Sequence, residues 1–230
     1  MIPFAVTVPV RTRVKICGCR SVRDVRNAIN AGADAVGVIM AESSARRVPM
    51  EDFRDIARFV PALVSLIAVF VNPPASLVDE ALKAGAIPQF HGNEDAEWCE
   101  ALAAGPYLKA YHVSDDDPVD ENTFLRFARP FEHATWLFDT ARSGGGSGGT
   151  GRTFAWEKVL ELGRQHAVVV SGGLTPVNVG TCVQAVRPYA VDVSSGVETN
   201  GVKDPRKILE FVRAVHEADA RAAGSMTESE

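Results

Sequence analysis

Apolar residues recur along the chain in short, mostly continuous runs: Val14–Cys17, Ala35–Met40, Leu66–Val71, Ile87–His91, Leu108–Val113, Thr135–Asp139, Ala167–Val170 and Ala190–Val193. A strand with water on one face alternates apolar and polar residues. A continuous run is covered on both faces, as parallel strands beneath helices are. Between the runs lie stretches of helical spacing with recognisable starts and stops. Ser21 caps a run to Ala31 that Gly32 ends. Pro49 opens one to about Val60, and Pro74 with Ser76 opens one ending at Gly85. Glu94 to Ala104 stops at Gly105, and Thr123 to Ala128 precedes Pro130. Phe154 to His166 follows a glycine-rich loop. Thr175-Pro176 and Asp204-Pro205 each read as a cap with proline at the first helical position, for helices to about Val186 and Ala220.

Eight strands thus alternate with eight helices in 230 residues. A doubly wound sheet more often has five or six strands, so the pattern predicts a single-domain (β/α)8 TIM barrel. Residues 1–12 read as an N-terminal extension, 13–220 as the barrel and 221–230 as a disordered tail of small and polar residues. The run Ser143 to Arg152, SGGGSGGTGR, has the composition of a flexible linker. Its place between a strand and a helix makes it a βα loop rather than a domain boundary.

Composition narrows the partners. The chain is 46% hydrophobic, enough for a sizeable core, and its net charge is −5. Such a mildly acidic chain has no general pull toward nucleic acid or anionic lipid. No apolar run approaches the roughly 18 residues of a membrane span. The charges Arg11, Arg13 and Lys15 follow the apolar start instead of preceding it, opposite to a signal peptide, and the expectation is a cytoplasmic protein. The cysteines Cys17, Cys19, Cys99 and Cys182 show no CxxC spacing, which suits reduced thiols.

In a barrel, chemistry collects where strands end. Polar, reactive residues fall there with regularity: Cys17, Ser43 to Arg47, Asn72, Gln89 to Gly92, His112, Asp139-Thr140, Ser171 to Gly173 and Asp192 to Gly196. Gly172-Gly173 and Ser194-Ser195-Gly196 outline a phosphate cradle on adjacent strands, since glycines let amides approach an anion; alone, they equally serve tight turns. Cys17 and Asp139 form a candidate base and acid; alone, the one is also a small buried hydrophobe and the other a turn former. His91 and His112 are candidate ligands or acid–base groups, and with one carboxylate could hold a metal. No local spacing such as HExxH supports that, so no metal is assigned. Arg46 and Arg47 are candidates for a carboxylate clamp or a solvated pair. Lys15 and Asp192 each precede a mouth residue by two, so both should face the barrel interior and pair across neighbouring strands.

Taken together, these motifs resemble phosphoribosylanthranilate isomerase. The matching stretches are Val14-Lys15-Ile16-Cys17-Gly18, Gly32 to Gly37, Ser43 to Arg46, Val69 to Asn72, Gln89 to Gly92, Phe138 to Thr140, Gly148 to Gly151 with Phe154 and Trp156, Ser171 to Leu174, and Val191 to Glu198 with Gly201, Lys203 and Asp204. The resemblance runs from about residue 13 to 216. It implies an Amadori rearrangement of N-(5-phosphoribosyl)anthranilate without cofactor or metal, in tryptophan biosynthesis. It also implies Cys17 as general base, Asp139 as general acid and Arg46 on the anthranilate part. Gly172, Gly173, Ser195 and Gly196 fall in its phosphate loops, and His91 and Asp192 among residues lining its site. The chain departs from the family after the second strand, with Ala45 where proline is usual and Arg47 where an aromatic is usual. A barrel lyase would want catalytic lysines at strand ends. Here Lys15 lies inside strand one and Lys109 early in strand five.

Overall fold

Eight parallel strands close on themselves in chain order, each paired with its neighbours in sequence and the last with the first. They are β1 (Arg13–Cys17), β2 (Ala35–Ile39), β3 (Ser65–Phe70), β4 (Ile87–Phe90), β5 (Tyr107–Val113), β6 (Ala134–Thr140), β7 (Val168–Val170) and β8 (Ala190–Val193). Every predicted strand is present, with ends shifted by one residue at most. The computed structural model describes residues 11–113, 121–140, 159–160, 162 and 166–227.

The helices around the barrel are α1 (Val22–Ala31), α2 (Met50–Phe59), α3 (Ala75–Lys83), α4 (Ala96–Ala103), α5 (Glu121–Ala128), α6 (Val179–Val186) and α7 (Pro205–Thr227). The helix expected over Phe154 to His166 and the loop SGGGSGGTGR fall largely or wholly outside the described residues. The starts are chemically legible. Ser21 accepts from the Asp24 amide at 3.2 Å, and Gly32 ends α1 in the left-handed region at φ 98°. Asp95 caps α4 by accepting from the Trp98 amide at 2.8 Å.

Packing explains why the strands read as continuous. Alternate strand residues such as Val14, Ile16, Val36 and Val38 join the large core between barrel and helices. The intervening residues fill the barrel itself: Cys17, Ile67 and Val69 in one cluster, Ala110, Leu137, Val169 and Ala190 in another. Both faces are buried, so neither needs polar residues.

Three expectations are corrected. The helix expected to start at Thr175-Pro176 starts at Val179, because Asn178 ties the preceding turn. Its side chain accepts from the Thr175 amide at 2.7 Å and donates to the Gly173 carbonyl at 3.0 Å. The disordered tail expected from Arg221 is helical as far as Thr227. Asp219 anchors that helix by accepting from both the amide and hydroxyl of Thr12, and the alanines and arginine that follow are good helix formers. A two-stranded ribbon after β8, β9 (Glu198–Thr199) with β10 (Val202–Lys203), was not anticipated. Its turn is Asn200-Gly201, both at positive φ (52° and 75°), the signature of a two-residue hairpin.

Candidate active site

At the end of β1 the Cys17 side chain is buried in the barrel interior. Alternation turns Lys15, two residues earlier, to the same face. Lys15 Nζ donates to Asp192 Oδ1 at 3.0 Å, with the two side chains only 4% and 5% exposed. Its charge also acts on the neighbouring Cys17 sulfur. Gly37 on β2 makes this meeting possible: a Cβ there would lie 2.9 Å from Cys17 Sγ and 3.2 Å from Lys15 Nζ. Asp192 Oδ2 in turn accepts from Ser171 Oγ at 3.4 Å. A buried chain Ser171–Asp192–Lys15–Cys17 therefore runs beneath the mouth.

The charges set the thiol. Burial pushes Cys17 up from its ordinary value, Lys15 and Lys203 pull it down, and Asp192 raises it; burial prevails. Burial also opposes the charge on Lys15, but Asp192 and Cys17 outweigh it and hold the ammonium above its usual value.

Three strands further round, β6 ends in Asp139, and β4 leads into His91. His91 Nε2 lies 3.1 Å from Asp139 Oδ2 and its Nδ1 lies 3.0 Å from Gln89 Nε2. On the strand between, His112 is the Cα partner of Asp139. Its exposed ring meets His91 edge-on, centroids 5.0 Å apart, and its Nε2 reaches the His91 carbonyl at 3.1 Å. The local spacing that discouraged a metal is thus supplied by the fold: ligand atoms of His91, His112 and Asp139 all lie within 4.8 Å of one another.

After β2, Ser44 braces the turn by accepting from the Arg46 amide at 3.1 Å. Arg46 then makes a two-pronged bond to Glu198, Nε to Oε1 and Nη2 to Oε2, each 2.8 Å, whereas Arg47 pairs on the surface with Glu42 at 3.4 Å. Lys203 Nζ also reaches Glu198 Oε1 at 2.8 Å and the Ser194 carbonyl at 2.9 Å. Burial raises the Glu198 carboxyl, but its bonds to Arg46 and Lys203 outweigh this and hold it below the usual range. Glu198 and Lys203 were given no role from sequence; the Asn200-Gly201 dipeptide between them was the available signal.

The two glycine-bearing loops touch. Gly172 and Gly173 both adopt positive φ (82° and 64°). Ser195 and Gly196 lie in a short 3-10 turn (Ser195–Val197), and a Cβ on Gly196 would collide with the Leu174 carbonyl. The structure therefore forms four groups at or just past strand ends: the thiol of Cys17 with Lys15 and Asp192, the carboxyl of Asp139 with His91, the Arg46 guanidinium with Glu198, and the paired loops after β7 and β8.

Fold and site define a (β/α)8-barrel enzyme whose mouth carries a lysine-supported thiol and a histidine-held carboxyl. Residues 14–214 match the family described as N-(5'phosphoribosyl)anthranilate (PRA) isomerase. The N-(5'-phosphoribosyl)anthranilate isomerase of Nitrosomonas eutropha is 38% identical over 213 residues, which is 91% of this chain and 99% of that protein. The crystal structure of the Thermotoga maritima phosphoribosyl anthranilate isomerase matches with a TM-score of 0.77 at 36% identity, covering 90% of this chain and 99% of that one. A phosphoribosyl anthranilate isomerase in complex with reduced 1-(o-carboxyphenylamino)-1-deoxyribulose 5-phosphate matches with a TM-score of 0.74 at 33% identity, covering 90% and 99%. The chain belongs to the N-(5'-phosphoribosyl)anthranilate isomerase family. Among the described residues no helix is long and apolar enough to cross a membrane.

Proposed function

We propose that this protein converts N-(5-phosphoribosyl)anthranilate to 1-(2-carboxyphenylamino)-1-deoxyribulose 5-phosphate, the Amadori step of tryptophan biosynthesis. The observation that carries this reading is the family match over residues 14–214, which takes in all eight strands of the mouth.

The residues divide the chemistry between two sides of the sugar. Asp139 gives a proton to the ribose ring oxygen, the C1′–O bond breaks, and the anthranilate nitrogen holds the resulting Schiff base. The Cys17 thiolate then takes the C2′ proton, and the enolamine tautomerises to the ketone. Every step moves a proton and none moves a net electron. Lys15 steadies the thiolate, and Asp192 holds Lys15 in place. His91 contacts Asp139 and orients its carboxyl, and exchange with solvent returns Cys17 and Asp139 to their starting states after each turnover.

Binding falls to the remaining groups. The phosphate sits against the amides of Gly172, Gly173, Ser195 and Gly196, where glycine permits close backbone approach. Glu198 takes two nitrogens of Arg46 and aims the third at the anthranilate carboxylate. The four cysteines are free and buried, which suits a reducing compartment, and we place the reaction in the cytoplasm. The test is a fluorescence assay following loss of phosphoribosylanthranilate. Turnover dependent on the folded protein is expected; a folded protein that leaves the substrate untouched would refute the reading.

A further inference from the structure

We propose that His91, His112 and Asp139 form a site for a divalent ion of the later first transition row, Zn2+ or its neighbours Co2+ and Ni2+, and that an ion bound there stops turnover. The three residues stand on consecutive strands: His91 just past β4, His112 in β5 and Asp139 in β6. The barrel's hydrogen-bonded register therefore sets their spacing. His112 and Asp139 are Cα partners, so their side chains leave the sheet side by side.

The distances suit a single ion. His91 Nε2 and Asp139 Oδ2 are 3.1 Å apart. Two ligands on one tetrahedral ion, with bonds of about 2.0 Å, stand ~3.3 Å apart. All three residues offer a ligand atom within 4.8 Å of the others. His112 is exposed, and its polar contact among the described residues, to the His91 carbonyl, is readily exchanged for water. A modest rotation of that ring completes the set.

Gln89 supports the reading from behind. Among the described residues its buried Oε1 has no hydrogen-bond partner, whereas its Nε2 faces His91 Nδ1. A half-turn of the amide presents Oε1 to Nδ1–H and turns Nε2 into the place that Oε1 held. His91 is then held as the tautomer whose Nε2 lone pair points at Asp139, the outer support that metal-binding histidines commonly have. Two imidazoles and one carboxylate favour zinc, cobalt or nickel over magnesium or calcium, which prefer oxygen ligands throughout. Three protein ligands also leave positions open for water.

An ion at this point would occupy Asp139 Oδ2 and the His91 lone pair, the two atoms that face each other at 3.1 Å in the metal-free protein. Binding follows from the geometry alone. The loss of turnover rests on Asp139 being the acid proposed above.

The test is titration of the intact protein with Co2+, read by its visible absorption, alongside Zn2+ inhibition of turnover, in the parent protein and in His112→Ala. One Co2+ per chain is expected, with intense bands of low coordination number. Each protein is read against its own metal-free turnover, so no unchanged rate is assumed for the variant. It should bind Co2+, and respond to Zn2+, at least about tenfold more weakly, the smallest effect typical even of outer-shell losses. No stoichiometric band, equal binding by His112→Ala, or a thiolate-to-cobalt charge-transfer band marking a cysteine would each overturn the site. Normal cobalt binding without zinc inhibition would keep the site but overturn the block on turnover, and would count against Asp139 as the acid.

Discussion

Lys15 and Asp192 are Cα partners across the β1–β8 seam that closes the barrel, and their side chains meet inside it at 3.0 Å. A buried ion pair is seldom a gain over a well-packed apolar pair. This one has a further connection: the ammonium's charge also acts on the neighbouring Cys17 sulfur.

Lys15→Met therefore separates structure from chemistry. It leaves the buried Asp192 without its charged partner, with only the Ser171 hydroxyl beside it, and such a loss typically costs about 3–5 kcal/mol. Adding Asp192→Leu should restore most of that stability. Both variants should ionise Cys17 less readily, so alkylation by iodoacetamide should shift to higher pH and turnover should fall even in the stable double variant. An alkylation profile identical to the parent's would show that Lys15 plays only a structural part.

Cys17→Ser and Asp139→Asn keep size and shape but remove the base and the transferable proton. A placed acid or base contributes about 10²- to 10⁴-fold, so kcat should fall by roughly that factor in each. KM should move much less, because the phosphate loops are untouched. Steady-state kinetics on folded protein checks this, and near-normal kcat in either variant would mean that the role belongs to another residue.

The pH profile should follow from the buried thiol. An ordinary cysteine titrates near pH 8.5, and burial holds Cys17 above its ordinary value. The thiolate fraction then grows about tenfold per pH unit through neutrality. So kcat/KM should still be rising at about pH 8.5. A plateau already reached at neutral pH would show that the thiol is not the group limiting the rate.

Gly196→Ala and Gly37→Ala should fail differently. The first drives a Cβ into the Leu174 carbonyl and parts the two phosphate loops. Each hydrogen bond to a charged group is worth about 1.5–3 kcal/mol, so KM should rise on the order of tenfold or more while kcat largely survives. The second pushes Cys17 from Lys15 and should lower kcat instead. The same KM-to-kcat split in both would dissolve the distinction drawn here between cradle and base.

Glu198→Gln should weaken the hold on Arg46 without removing it. Arg46 is 32% exposed and Glu198 only 6%, so the pair sits at the rim with its carboxylate inside. The expected outcome is a raised KM for phosphoribosylanthranilate and little change in inhibition by inorganic phosphate, measured side by side. A raised inhibition constant for phosphate would place Arg46 at the other end of the substrate.

Local chemistry made the scaffold readable in advance. Apolar runs without alternation require cover on both faces, and Ser21, Gly32 and Asp204-Pro205 mark helix ends by hydrogen bonds and φ angles that belong to those residue types. The two-residue period placed Cys17 over Lys15 and Asp192 below Ser194, so even the buried pair followed from spacing. What spacing could not carry was distance between strands. Gly37 is an unremarkable glycine until β2 sets it against Cys17 and Lys15. Asn178 overrules the Thr175-Pro176 cap because its side chain bonds backward into the loop. Thr12 and Asp219 lie at opposite ends of the chain, and their bond anchors α7 just before it continues past Ala220. His91, His112 and Asp139 come from three separate strands with no motif among them. Their meeting depends on barrel closure and register, which are set by hydrogen bonds between segments remote in sequence. Contacts of that kind exist only once the chain has folded, whereas caps, turns and strand faces are written in neighbouring residues.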